Sequence, residues 1–94
     1  MQQTYMDTNK THKNNLLVYR KRMGFSQKQV ARFLNHHDTD MLSRYEHGHI
    51  LPTLTTALGL EIVYRVPVAF LFPDMYEELR DEIRGREASS AKPV

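Results

Sequence analysis

Apolar residues recur every three or four positions along most of this chain, and residues that start or stop helices punctuate the runs, so the pattern predicts an all-α fold. Leu16, Tyr19 or Arg20, and Met23 share one helical face, predicting helix 1 over about 14–23 with Gly24 as its left-handed stop. Ser26 with Gln29 three places on forms a capping box, and helix 2 then buries Val30, Ala31 and Leu34 on one stripe. Asn35-His36-His37 reads as the turn, and Asp38 as the N-cap of helix 3, which carries Met41, Leu42 and Tyr45 and ends near His47-Gly48. A loop, His49-Ile50-Leu51-Pro52, crosses back over the core. Thr53 caps helix 4, which runs to about Arg65. Pro67 sits in the first turn of a short helix 5, with Val68, Leu71 and Phe72 inward. Pro73-Asp74 is read as a break before a last helix, MYEELRDEIR. The expected organisation is a flexible segment over 1–13, five compact helices over 14–73, an additional C-terminal helix over 74–85 and a disordered tail over 86–94.

Composition narrows the function. Ninety-four residues make one small domain that leaves little room for a buried catalytic cleft. With no cysteine, disulfide and thiolate chemistry are excluded. No apolar run approaches the ~20 residues of a membrane span, and the first residues lack the apolar stretch of a signal peptide, so the expected compartment is the cytoplasm. The formal charge of +2 is unevenly spread. Residues 10–50 hold eight Lys or Arg against three Asp or Glu, a local +5, whereas 74–94 hold four against six, a local −2. The basic half coincides with the stretch from Tyr19 to Pro52 that holds helices 2 and 3, the electrostatic footprint a phosphate backbone needs.

Two short helices joined by a tight turn have the form of a helix-turn-helix, and the residues go further. From Arg20 the pattern is R-x-x-x-G-F-S-Q-x-x-V-A-x-x-L, followed by S-R-Y-E-x-G-x-x-x-P up to Pro52. This resembles the Cro/repressor-type (XRE, lambda-repressor-like) helix-turn-helix family over roughly 14–73. Ala31 fits the resemblance physically, because only a small side chain is admitted where the two helices approach. The resemblance implies that helix 3 lies in the major groove, with base contacts from Thr39, Asp40 and Arg44, and Ser43 is a neighbouring candidate. Arg44 is the best guanine reader, since its fork matches O6 and N7. The resemblance implies phosphate contacts for Gln27, at the exposed start of helix 2, and for His47 and His49 after helix 3; Lys28 and His37 join them on the same basic face. It also implies an ion pair between Arg20 and Glu46 that orients the recognition helix. The chain departs from the family's commonest form in a turn one residue longer, with Asn35 where glycine is usual, so the start of helix 3 and its base contacts are open by one position.

The remaining chemistry is thin. His36, His37, His47 and His49 have loose spacing and no cysteine to complete a zinc set, so no metal or other cofactor is expected. The carboxylates of the last helix interleave with Arg80 and Arg84 as surface pairs, and no nucleophile–base pairing is visible, so the chain is not read as an enzyme. Tyr76, Leu79 and Ile83 form an apolar stripe that either folds onto its own domain beside Phe72 or makes a dimer contact. The reading is a sequence-specific double-stranded DNA-binding transcriptional regulator, a repressor acting as a homodimer. The alternative is an antitoxin-type module that holds a toxin-like protein partner and binds its own operator.

Overall fold

The computed structural model describes residues 12–90. It contains α1 (Leu16–Met23), α2 (Gln27–Phe33), α3 (Asp40–Glu46), α4 (Leu54–Tyr64), α5 (Val68–Leu71) and α6 (Pro73–Ser90). Among the described residues every regular element is a helix. Residues 1–11 of the expected flexible segment and 91–94 of the expected tail lie outside them.

Local chemistry sets the helix ends. The helix 1 pattern begins at Asn14, but α1 starts two residues later because both asparagines are occupied elsewhere. Asn14 accepts the Leu16 N–H through Oδ1 and donates to the carbonyls of His12 and Tyr45, while Asn15 donates its backbone N–H to Leu71 and its side-chain amide to Phe70. The start of α1 is thereby tied to the ends of α3 and α5. Gly24 closes α1 at φ 75°, its N–H bonded to the Arg20 and Lys21 carbonyls. The Ser26 box is complete in both directions, at 3.1 and 2.8 Å. Asn35 takes φ 62°, the left-handed conformation that asparagine tolerates better than most residues, and so turns the chain without glycine.

Asp38 is not the N-cap of α3. Thr39 holds that position without a side-chain cap bond, and Asp38 sits one residue earlier, where its Oδ1 accepts the Asp40 N–H at 2.9 Å. The carboxylate still satisfies an end donor, but from outside the helix. Thr53 caps α4 through the Thr56 N–H, and Glu61 Oε1 accepts the Val68 N–H at the start of α5.

Two further expectations are corrected at the C-terminal end. Pro73 starts α6 rather than breaking the chain, since a first-turn residue has no intrahelical use for its N–H. The helix also runs through 86–90, part of the expected disordered tail. Ion pairs on successive turns, Glu82–Arg86 and Arg84–Glu87, hold a segment whose composition alone suggested disorder.

The core is one cluster: Leu16 from α1, Val30 from α2, Leu42 and Tyr45 from α3, Leu60 and Tyr64 from α4, and Leu71 and Phe72 at α5. Each such aliphatic side chain contributes about 1.5–3 kcal/mol by leaving water. Met41, expected in helix 3's apolar set, lies outside the cluster, exposed.

Candidate nucleic-acid interface

Glu46, the last residue of α3, is the hub of the helix-turn-helix. Arg20 Nε lies 2.6 Å from Glu46 Oε2, and Arg20 Nη2 lies 3.2 Å from Oε1. Arg20 Nη1 donates to the Phe25 carbonyl, and the Gln27 amide donates to Glu46 Oε1 at 2.9 Å. One carboxylate therefore binds α1, α2 and α3. The side chains of Arg20 and Glu46 are only 11% and 4% exposed. The hydrogen bond from Glu46 raises the Arg20 pKa above its ordinary value against the opposing effect of burial, so the guanidinium stays charged. Tyr64 lies within the field of this pair. Burial first, and then the Glu46 charge, lift its phenol above the usual value. Its hydroxyl has no hydrogen-bond partner among the described residues.

Gln27 is thus more than an exposed amide waiting for a ligand. One amide hydrogen goes to Glu46, and the second remains for an outside acceptor. Nothing local to Gln27 announces this contact, which spans nineteen residues.

The candidate base readers share the exposed side of α3. Asp40 and Arg44 are exposed, and Thr39 and Ser43 half-buried. Asp40 and Arg44 also pair with each other, one helical turn apart, with Nε 3.4 Å from Oδ2. An exposed pair of this kind is worth at most about 1 kcal/mol, enough to orient the guanidinium but not to withhold it from a base.

Past α3, His47 donates its Nδ1–H to the Ser43 carbonyl at 2.8 Å, because a carbonyl can only accept; its Nε2 is then left for a ligand. The His47 and His49 rings stack with centroids 5.7 Å apart. Gly48 between them has φ 77°, and its carbonyl accepts the His12 N–H. A Cβ there would lie 2.7 Å from the His12 carbonyl oxygen, so this turn has room for glycine alone.

Lys28 and His37 meet in a cleft of about 430 Å³ between α2 and the start of α3, lined also by Arg32, His36 and Thr39. Arg32 is absent from the sequence-predicted site, although it stands one turn after Lys28 on α2, a spacing that places both cations on the same face. His36, expected only as a turn residue, is half-buried, and its Nδ1 has no partner among the described residues. The predicted residues thus fall into a base-reading row on α3, a cationic cleft beside its N-terminus and a histidine pair beyond its C-terminus. Tyr76, Leu79 and Ile83 stand apart from all three, on α6.

A pair of short helices locked at one carboxylate, with a polar face on the second helix and cations at its border, defines a helix-turn-helix domain. The family model for this helix-turn-helix, HTH_3, matches residues 16–71, more than half of the chain. The chain belongs to the XRE, lambda-repressor-like helix-turn-helix family, whose members are DNA-binding regulators. A search of curated proteins returned no match. Among the described residues no helix is long and apolar enough to cross a membrane.

Proposed function

We propose that this protein is a sequence-specific transcriptional regulator, a repressor that binds a twofold-symmetric operator in the cytoplasm as a homodimer. The observation that carries the reading is the Arg20–Glu46–Gln27 lock, which fixes α3 rigidly against α2 and leaves Arg44 on its free side. On this reading α3 enters the major groove, Arg44 reads a guanine, and Thr39, Asp40 and Ser43 supply neighbouring contacts. Lys28, His37, His47, His49 and the second amide hydrogen of Gln27 hold the flanking phosphates. Two copies are required because one recognition helix reads too few base pairs, and the Tyr76-Leu79-Ile83 stripe is the dimer contact. Its three side chains are each about half exposed, which favours the dimer reading over folding onto its own core.

The test compares Arg44→Ala and Lys28→Ala on an operator duplex and on random-sequence duplex. Arg44→Ala should lose about 1–3 kcal/mol on the operator and little on random DNA. Lys28→Ala should weaken both alike and reduce the logarithmic salt slope by about 1. Equal losses on both duplexes for Arg44→Ala would remove it from base reading.

A further inference from the structure

α4 is apolar on nearly every face: among its eleven residues, LTTALGLEIVY, Glu61 alone carries a charge. Such a helix is ordinarily covered all round. Here Leu60 and Tyr64 face the core, but Leu54, Leu58 and Ile62, spaced one turn apart, form a row that the described residues leave largely open; Leu54 and Ile62 are 75% and 74% exposed and Leu58 47%. The neighbouring row of α4, Ala57 and Glu61, lines a groove that continues over Val68 and Phe72 to Met75 and Leu79 of α6. The open row and the groove are one continuous surface.

α6 has the opposite problem. Its eighteen residues span about 27 Å. Met75 is partly buried in the core, and every α6 residue from Tyr76 onward is exposed. Its stripe begins in the groove at Tyr76 and Leu79 and continues to Ile83, which is not among the groove's lining residues. A continuous helix cannot turn back to lay Ile83 on α4 of its own chain. An apolar receiving surface and an apolar projecting helix therefore lie side by side, and neither can satisfy the other within one chain.

We propose that a second copy of this chain resolves both: each α6 lays Leu79 and Ile83 across the partner's α4 row of Leu54, Leu58 and Ile62, so that the exchange buries two such contacts about one twofold axis. This builds on the dimer in the functional reading above and names the acceptor surface that reading lacks. Three features favour a second copy as the occupant. Donor and acceptor are both built into this sequence. The five side chains of the exchange expose roughly 550 Å² per chain, near the lower end of the ~600 Å² or more that one partner contributes to a specific interface. The acceptor row itself, Leu54, Leu58 and Ile62, carries no charge, so the apolar stripe of α6 meets an uncharged surface.

Sedimentation of the full chain tests the assignment with Ile62→Lys, Ile83→Glu, the two combined, and Leu54→Glu, each checked by thermal melting. Ile62→Lys and Leu54→Glu act on three-quarters-exposed side chains, so these variants should fold as well as the wild type while their dimers dissociate roughly tenfold or more readily. Ile83→Glu should do the same, and the Ile62→Lys/Ile83→Glu combination should recover much of the loss, because the new charges meet across the interface. A wild type that stays monomeric at high micromolar concentration would overturn the proposal, as would α4 variants that dimerise like the wild type, or a double variant no better than its singles. Binding of random-sequence duplex by the same variants separates this claim from the DNA reading. If the wild type binds no duplex, the DNA reading fails while sedimentation still decides the contact.

Discussion

The two halves of this domain solve the problem of small size in opposite ways. In α1–α3 short helices of seven or eight residues are pinned by specific polar contacts: a complete capping box, three left-handed turn residues and a buried carboxylate that holds three helices. In α4–α6 the contacts are apolar, and much of the apolar surface is left open. The first half also exposes Leu17, Val18, Phe33 and Met41, but none as far as Leu54 or Ile62, and its polar contacts supply the rigidity that the proposed recognition helix needs. The second half is unfinished, the pattern of a surface made for association. On the proposed function the division runs along the same line, with DNA on one side and a second copy on the other.

Four substitutions break or sharpen that contrast, from the largest effect to the smallest. Glu46→Ala strands the buried Arg20 charge and removes the acceptor of Gln27, and should cost about 3–5 kcal/mol in denaturant unfolding. Replacing Arg20 and Glu46 together by apolar residues of similar volume should recover much of this stability without recovering DNA binding. A Glu46→Ala protein that unfolds at the wild-type midpoint would mean that the lock does not hold the first half together.

Gly48→Ala should destabilise by about 2 kcal/mol or more, since it adds a collision with the His12 backbone to the cost of a left-handed alanine. Gly24→Ala, with the same sign of φ but open space around it, should cost only about 1 kcal/mol. Equal melting of the two variants would show that the His12–Gly48 contact is not part of the packed half.

Tyr64→Phe removes a buried hydroxyl without a partner, and should leave the protein about 1 kcal/mol more stable at neutral pH. Its pH dependence has a definite sign. The folded state raises the phenol pKa above its ordinary value of 10.0, so this group leaves stability constant below about pH 10 and lowers it above, as alkali ionises the unfolded chain first. Tyr64→Phe should therefore lose less stability than the wild type between neutral and strongly alkaline pH, as read from urea midpoints. An alkaline limb unchanged by the substitution would place that titration elsewhere.

Leu54→Ser closes the series: in monomer unfolding it should stay within about 0.5 kcal/mol of the wild type, because the side chain is already mostly in water. A loss of several kcal/mol would put Leu54 in the core and erase the contrast between the halves.

The packed half was the more legible of the two, for a physical reason. Ser26 with Gln29, and Gly24 after Met23, are signals a few residues long whose meaning is local, and they end helices where the spacing predicts. Arg20 and Glu46 lie far apart in sequence and were legible only through resemblance to a family. Gln27 meeting Glu46 was not legible, because the resemblance assigns that amide to a phosphate and its second partner follows from packing. The Asp40–Arg44 pair is legible from its i,i+4 spacing, whereas the position of Asp38 one residue before the cap depends on how the longer turn closes. In α6 polar composition was mistaken for disorder over 86–90, although the charges alternate at helical spacing and stabilise one another. The open row of α4 was hidden for the opposite reason. A helix apolar all round does not reveal from its sequence which face the core will take.

The central claim, that α3 of a paired protein reads a specific DNA sequence, is tested most directly by selecting bound duplexes from a random pool and sequencing them. The account predicts an inverted repeat whose half-sites are centred about one helical turn, ~34 Å, apart, each containing a guanine whose selection is lost with Arg44→Ala. A pool that gains no common sequence, or one whose enriched motif is unchanged by Arg44→Ala, would contradict it.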